Sequence, residues 1–138
     1  MDKALNYMAL ARKAGRIELG EEPVGAAARA QHARLILVAE DASDHTWRRA
    51  QSFVAGTGQQ CIRVPFSKEL LGQAIGRTSL AIAAFTDPAL ALAFVKALNN
   101  PAAYEGVLND LQDRTGRIRR HQAEAKSHLR NKQRGKKK

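Results

Sequence analysis

The sequence predicts an α/β protein, a three-layer α/β/α sandwich around a four-stranded mixed sheet with a basic C-terminal extension. Three observations lead there. Two continuous apolar runs, Leu35 to Ala39 and Leu80 to Phe85, read as strands buried on both faces. Stretches with helical spacing and cap residues alternate with them and with two shorter strand-like stretches. The surplus positive charge is confined to residues 114–138.

Each element has a local reason. Asp2 is placed to cap a first helix, Lys3 to Ala14, with Leu5, Met8 and Ala9 on its apolar side and Gly15 as its stop. Arg16-Ile17-Glu18-Leu19 alternates and predicts a short strand. Gly20-Glu21-Glu22-Pro23 turns into a second helix. Pro23 fits its first helical position, the two acids suit its positive end, and the helix runs to about His32. After the Leu35–Ala39 strand, Glu40 to Asp44 forms a polar turn with cap residues, and Thr46 to Val54 is helical. Gly56-Thr57-Gly58 breaks that helix before a third strand, Cys61 to Pro65. Ser67 caps a short helix, Lys68 to Ile75, which ends at Gly76. The fourth strand follows, and Asp87-Pro88 opens a helix to about Leu98, stopped by Asn99-Asn100-Pro101. Alternation of this kind puts helices on both sheet faces. Residues 1–100 are expected to form the sandwich. Residues 101–138 are expected to be a basic tail, partly helical or disordered when free, with Val107, Leu108 and Leu111 able to extend a helix or dock one turn on the body.

The charge is informative once it is located. Residues 1–113 hold 12 Lys/Arg and 12 Asp/Glu, whereas residues 114–138 hold 11 Lys/Arg and one acid, Glu124. A neutral body with a polycationic tail points to a polyanionic partner, nucleic acid first. No apolar run approaches the ~20 residues needed to span a bilayer. The tail has almost no large apolar side chain to insert into a membrane surface. The N-terminal stretch carries charges unlike those of a signal peptide, and the single Cys61 precludes an internal disulfide framework. The expectation is a cytoplasmic protein without a membrane partner.

Enzyme motifs fail on context. Gly56-x-Gly58 follows a helix and precedes a strand, the reverse of a dinucleotide loop. Gly72 to Thr78 superficially resembles a phosphate-binding loop. It is one residue short, has Arg77 in place of Lys, and lies at a helix end rather than a helix start. Asp41, Ser43, Asp44 and His45 sit in one turn and read as capping groups, because a triad gathers its members from separate segments. His32, His45, His121 and His128 show no metal-ligand spacing with Cys61, which itself reads as a small core residue. No catalytic residue, cofactor, metal or small-molecule substrate is expected. Trp47, beside Arg48 and Arg49, either stacks on a base or packs half-buried against the sheet edge.

The core also carries a set of short strings in a fixed order: Ala9-Leu-Ala-Arg-Lys-Ala-Gly15, Gly20-Glu-Glu22, Leu35-Ile-Leu-Val-Ala-Glu-Asp-Ala-Ser43, Val64-Pro65, Leu71-Gly-Gln-Ala-Ile-Gly76 and Thr86-Asp87. Over about residues 3–98 the chain resembles the ribosomal-protein family L-seven-Ae / L-thirty-e, whose members bind kink-turn RNA. It is most similar to the small stand-alone bacterial members. The resemblance implies an RNA surface made of three loops at one end of the sandwich. The first is the turn into the second helix, Gly20, Glu21, Glu22 and Pro23. The second is Glu40 and Asp41, and the third Ile75, Gly76, Arg77 and Thr78. This chain has Glu22 where tight kink-turn binders usually carry Asn or Lys, Pro23 where they carry Glu or Gln, and Ala26 where they carry Lys. Arg29, one turn beyond Ala26, is the cation expected to compensate.

In the tail, Arg117, Arg119, Arg120, Arg130, Lys132 and Arg134 are expected to meet RNA phosphates. The function expected is non-enzymatic binding of structured RNA, ribosomal RNA or a kink-turn-like element, with a ribosomal protein as a further candidate partner. The alternative is a protein-interaction module tethered to RNA or the ribosome by its tail.

Overall fold

A computed structural model of the chain describes residues 2–116. The elements run α1 (Lys3–Lys13), β1 (Ile17–Leu19), α2 (Glu21–Arg29), β2 (Leu35–Val38), α3 (Asp44–Val54), β3 (Cys61–Arg63), α4 (Lys68–Ala74), β4 (Ile82–Phe85) and α5 (Pro88–Ala97). Residues 105–116 are again helical. The sheet order is β1-β4-β2-β3, with β2 and β3 parallel and the other pairs antiparallel. Helices α1, α4 and α5 pack together on one face, and α2 and α3 on the other. This is the three-layer mixed sandwich that the alternation predicts. The two apolar runs supply the central strands, and all four residues of both β2 and β4 are buried. Phe85 and Phe94 meet at 5.4 Å between ring centroids beneath α5, and Phe66 closes the cluster at 6.5 Å from Phe94.

The caps fall where short polar side chains invite them. Asp2, Ser43, Ser67 and Asp87 each accept from a backbone N–H in the first turn of α1, α3, α4 and α5. Several boundaries differ from the sequence reading. Pro23 is the third residue of α2, not the first, because Gly20 takes the cap position with φ of +95°. Its missing N–H costs nothing there, since the first four donors of a helix have no intrahelical acceptor. Helix α2 ends at Arg29 rather than His32. Gln31 adopts φ of +62°, its N–H reaches Ala28 O at 3.0 Å, and the His32 N–H reaches Ala27 O at 2.8 Å. That double bond closes the helix in the manner glycine usually permits. Helix α3 starts at Asp44 rather than Thr46, because Ser43 and not a later residue is its cap. Strand β3 stops at Arg63, and β4 starts at Ile82. On α1 the buried residues are Ala4, Leu5, Met8 and Ala11, while Ala9 is only partly covered.

The segment beyond residue 100 joins the core through Val107 and the fully buried Leu111. Tyr104 donates its hydroxyl to Arg63 O at 3.2 Å, and Arg114 donates from its guanidinium to Gly58 O at 3.0 Å. The last described helix is therefore tied to β3 and to the turn before it. Covering an edge strand in this way protects it from pairing with another chain. The expected tail contacts Arg117, Arg119, Arg120, Arg130, Lys132 and Arg134 lie outside the described residues.

Candidate nucleic-acid interface

The sandwich brings three turns to one end of the sheet. Gly20, leaving β1, donates its N–H to Ile82 O at 3.0 Å, and Ala39, leaving β2, donates to Ala81 O at 3.0 Å. Glu40 N–H reaches Phe66 O at 3.0 Å, and Asp41 Oδ1 accepts from Lys68 N–H at 2.8 Å. Leu80 N–H then donates to Lys68 O at 2.9 Å. The exits of β1 and β2, the start of α4 and the entry to β4 thus form one hydrogen-bonded rim. Gly20, Glu21, Glu22, Glu40 and Asp41 belong to it directly.

The third loop reaches the rim by crossing its own helix. Arg77 N–H donates to Gly72 O at 2.8 Å, and a Cβ at Gly72 would lie only 2.7 Å from Ser79 N. Only glycine at position 72 lets the chain pass this close. Gly76 turns it with φ of +77°. Gly76, Arg77 and Thr78 are exposed, whereas Ile75 is a core residue, 5% exposed, and presents no surface to a partner.

The acids at the rim are partly engaged. Glu21 Oε1 accepts from Arg49 Nε at 2.6 Å, and the Arg49 guanidinium stands 5.0 Å from the Phe53 ring centroid. An exposed pair of this kind is worth at most about 1 kcal/mol, so a phosphate can compete for Arg49. The Asp41 carboxylate is spent on the first residue of α4, not on α3, the helix that this turn was expected to cap and that Ser43 caps. Among the described residues, Glu22 and Glu40 have no ion-pair partner.

Arg29 stands apart from the rim. It closes the far end of α2, about 12 Å along the axis from Glu21 at 1.5 Å per residue. Its Nη1 leans back over Gly25, 3.3 Å from where a Cβ would be. Ala26 instead lines the groove between α2 and β1, so Arg29 does not replace a cation at Ala26.

Two aromatic–cation contacts were missed in the sequence. Arg49 and Phe53 are spaced i, i+4 on α3, a signal open to view. Arg63 lies 5.1 Å over the Trp47 ring, and its Nη2 is 3.9 Å from Asp44. Trp47 is half-buried against the core with Arg63 as its lid, in line with the packing reading. Nothing in local spacing links positions 47 and 63, which meet only because α3 packs on β3.

Burial pushes the Cys61 thiol up from its ordinary value, the reverse of what activates a nucleophilic thiolate. Among the described residues no cluster of His, Cys, Asp and Glu could hold a metal ion, and no helix is long and apolar enough to cross a membrane.

No known family pattern and no curated protein matches the chain. Solved structures do. A Bacillus halodurans protein of unknown function superposes with a TM-score of 0.66 at 22% identity, over 72% of this chain and all of that one. The 15.5kD RNA binding protein of Giardia lamblia superposes with a TM-score of 0.59 at 18% identity, over 76% of this chain and 87% of its own. The shared feature is the fold: this chain has the same sandwich as that RNA binding protein, and its own C-terminal segment is strongly basic.

Proposed function

We propose that the protein binds structured RNA, in the manner of the kink-turn readers that its sequence resembles, and catalyses no reaction. The observation that carries this reading is the continuous rim formed by Gly20–Glu22, Glu40–Asp41 and Gly76–Thr78 on a fold shared with the Giardia RNA binding protein. A helix start and exposed backbone donors suit phosphates at a sharp RNA bend, and RNA is recognised chiefly by shape and unstacked bases. The tail with its net charge of +10 supplies affinity without sequence choice. Ribosomal RNA in the cytoplasm is the target this reading favours.

The test is fluorescence anisotropy with a kink-turn hairpin and with the same RNA repaired to a plain duplex. The full chain and a chain ending at Gly116 are compared at several salt concentrations. A preference for the kinked RNA that survives the truncation supports the rim as the reader. If about five tail cations meet phosphates, the truncation reduces the magnitude of the slope of log K against log salt by roughly 3.5–4.5. Loss of all binding on truncation, with equal affinity of the full chain for both RNAs, refutes the rim. The exposed acids Glu22 and Glu40 would then favour the second reading, a sandwich that binds another protein while its tail holds RNA.

A further inference from the structure

The opposite end of the sheet holds a second feature that the rim does not use. Strand registers place three residues in one row just beyond the regular ladder. Ile17 pairs with Phe85 and Leu35 pairs with Phe85, so Arg16 and Arg34 both stand opposite Thr86, on either side of it. Two backbone bonds continue the ladder through this row: Thr86 N–H to Arg16 O at 2.9 Å and Arg34 N–H to Phe85 O at 2.8 Å. Strands lie about 4.8 Å apart, so the two arginines leave backbones about 10 Å apart, close enough for their side chains to converge.

They converge on a cleft. Arg16, Arg34, Thr86 and His32 line one end of an open cavity of about 530 Å³ between β1 and α2. The lining carries two arginines against one acid. Glu18 is its one carboxylate, and among the described residues neither arginine has an acid within ion-pair distance. Arg34 Nε is buried and has no hydrogen-bond acceptor among the described residues. A guanidinium with one buried, unpaired donor and no acid beside it is costly to hold, and an anion taken up by its other N–H groups would offset that cost. The opposite wall is different in kind. Pro23, Ala26 and Ala30 recur at i, i+3, i+7, so α2 offers a shallow apolar face where longer side chains would fill the space.

We propose that this cleft is a nucleotide-binding site whose phosphate end lies away from the rim, with a phosphate held by Arg16, Arg34 and Thr86 and a sugar or base laid along the alanine face of α2, which runs up to Pro23 of the first loop. Planar guanidiniums bind phosphate oxygens in pairs, the Thr86 hydroxyl adds a third donor, and Glu18 can accept from a sugar hydroxyl or an exocyclic amine. The phosphate can belong to a free mononucleotide or to a strand of RNA passing this end of the sandwich.

The experiment is a two-dimensional amide titration of the full chain, in which the arginine Nε–H signals are also followed. Four probes are used: 5′-AMP, adenosine, inorganic phosphate and a six-nucleotide RNA without terminal phosphate. The expected result is saturable movement of the Arg16, Arg34 and Thr86 amides and of Arg34 Nε–H, with adenosine at least tenfold weaker than 5′-AMP. Movement with 5′-AMP but not with the hexamer assigns a free nucleotide, and movement with the hexamer assigns an RNA backbone. Arg16→Gln is expected to weaken binding at least tenfold. Arg34→Lys keeps the charge but not the planar fork, and should weaken it too while leaving the thermal unfolding midpoint close to that of the parent. Shifts confined to other residues, or equal response to 5′-AMP and adenosine, overturn the proposal. So does unchanged binding in both variants.

Discussion

Gly72→Ala tests whether the third loop is held by close approach. In an ordinary helix interior this change gains about 1 kcal/mol, because alanine restricts the unfolded chain and suits the helix. Here the added Cβ would meet Ser79 N at 2.7 Å, Arg77 O at 2.8 Å and Ser79 Cα at 2.9 Å. All three are backbone atoms, so no side chain can rotate away. Reaching a 3.4 Å contact means moving residues 77–79 outward by up to about 0.7 Å. That movement pulls on the Arg77–Gly72 bond of 2.8 Å and the Leu80–Lys68 bond of 2.9 Å, which together anchor the loop to α4. Each is worth about 1 kcal/mol net. Overpacking of this kind costs about 1–3 kcal/mol. The propensity gain offsets only part of it, so the expected change is a loss of about 1–2 kcal/mol by urea unfolding. Gly106→Ala is the control, since that helical glycine has nothing within 4 Å of its would-be Cβ. It should be neutral or stabilising by up to about 1 kcal/mol. Kink-turn affinity should fall in the first variant and not in the second. Equal or greater stability for Gly72→Ala, with RNA binding intact, would refute the argument that position 72 fixes the loop.

Three further expectations follow from buried or half-buried groups. Gln59 joins two segments, accepting from Ala33 N–H at 3.0 Å and donating to Ala28 O at 3.0 Å. Gln59→Leu leaves the Ala33 N–H buried and unpaired, while Ala28 O keeps the Gln31 N–H, so it should lose about 1–3 kcal/mol in urea unfolding, more than an exposed glutamine would. The Cys61 thiol, pushed up by burial, should alkylate at pH 8 more slowly in the folded protein than in urea, and equal rates would contradict the packing. Tyr104 is also pushed up from its ordinary 10.0 by burial. Its folded value lies above its unfolded one, so its contribution is complete below about pH 10 and is lost as pH rises through the folded value. Tyr104→Phe should lose about 1 kcal/mol at neutral pH, with the hydroxyl bond to Arg63 O, and should unfold less steeply in alkali.

The sequence made the architecture legible because its strongest signals are of the kind that depend on period and punctuation. Runs such as Leu35–Val38 and Ile82–Phe85 are apolar at every position because both faces of a central strand are covered. Asp2, Ser67 and Asp87 marked helix starts through side chains that bond their own first turn, whereas Ser43 was one of several cap candidates in its turn. What stayed hidden was set by contacts distant in sequence or by unusual backbone. The end of α2 carried no glycine, and Gln31 took the left-handed position in its place. The site was legible as a set of loops and not as a set of roles. Asp41 is engaged by Lys68 N–H, twenty-seven residues on, Ile75 is in the core, and Arg29 leans back over Gly25. The row Arg16–Thr86–Arg34 needs three strands in register before it exists at all.

The distribution of charge then makes sense of the division of labour. Residues 1–113 are neutral in sum, so the sandwich has no net field with which to gather RNA. Selection by such a body depends on where single charges stand: Arg77 and the Glu21–Arg49 pair at the rim, Arg16 and Arg34 at the far end. The basic segment has the opposite character, with many charges and few groups that could distinguish one RNA from another. The two are joined at a fixed point. Leu111 is buried, and Arg114 holds Gly58 O and Asp110 at once, so the tail departs from one defined place beside β3. Under the proposed function, RNA drawn in by the tail would be presented to the sandwich from one side, where the effective concentration of the rim rises without any new contact. Under the proposed function the helix at 105–116 is more than an edge cover: it would set the position from which electrostatic capture is converted into orientation.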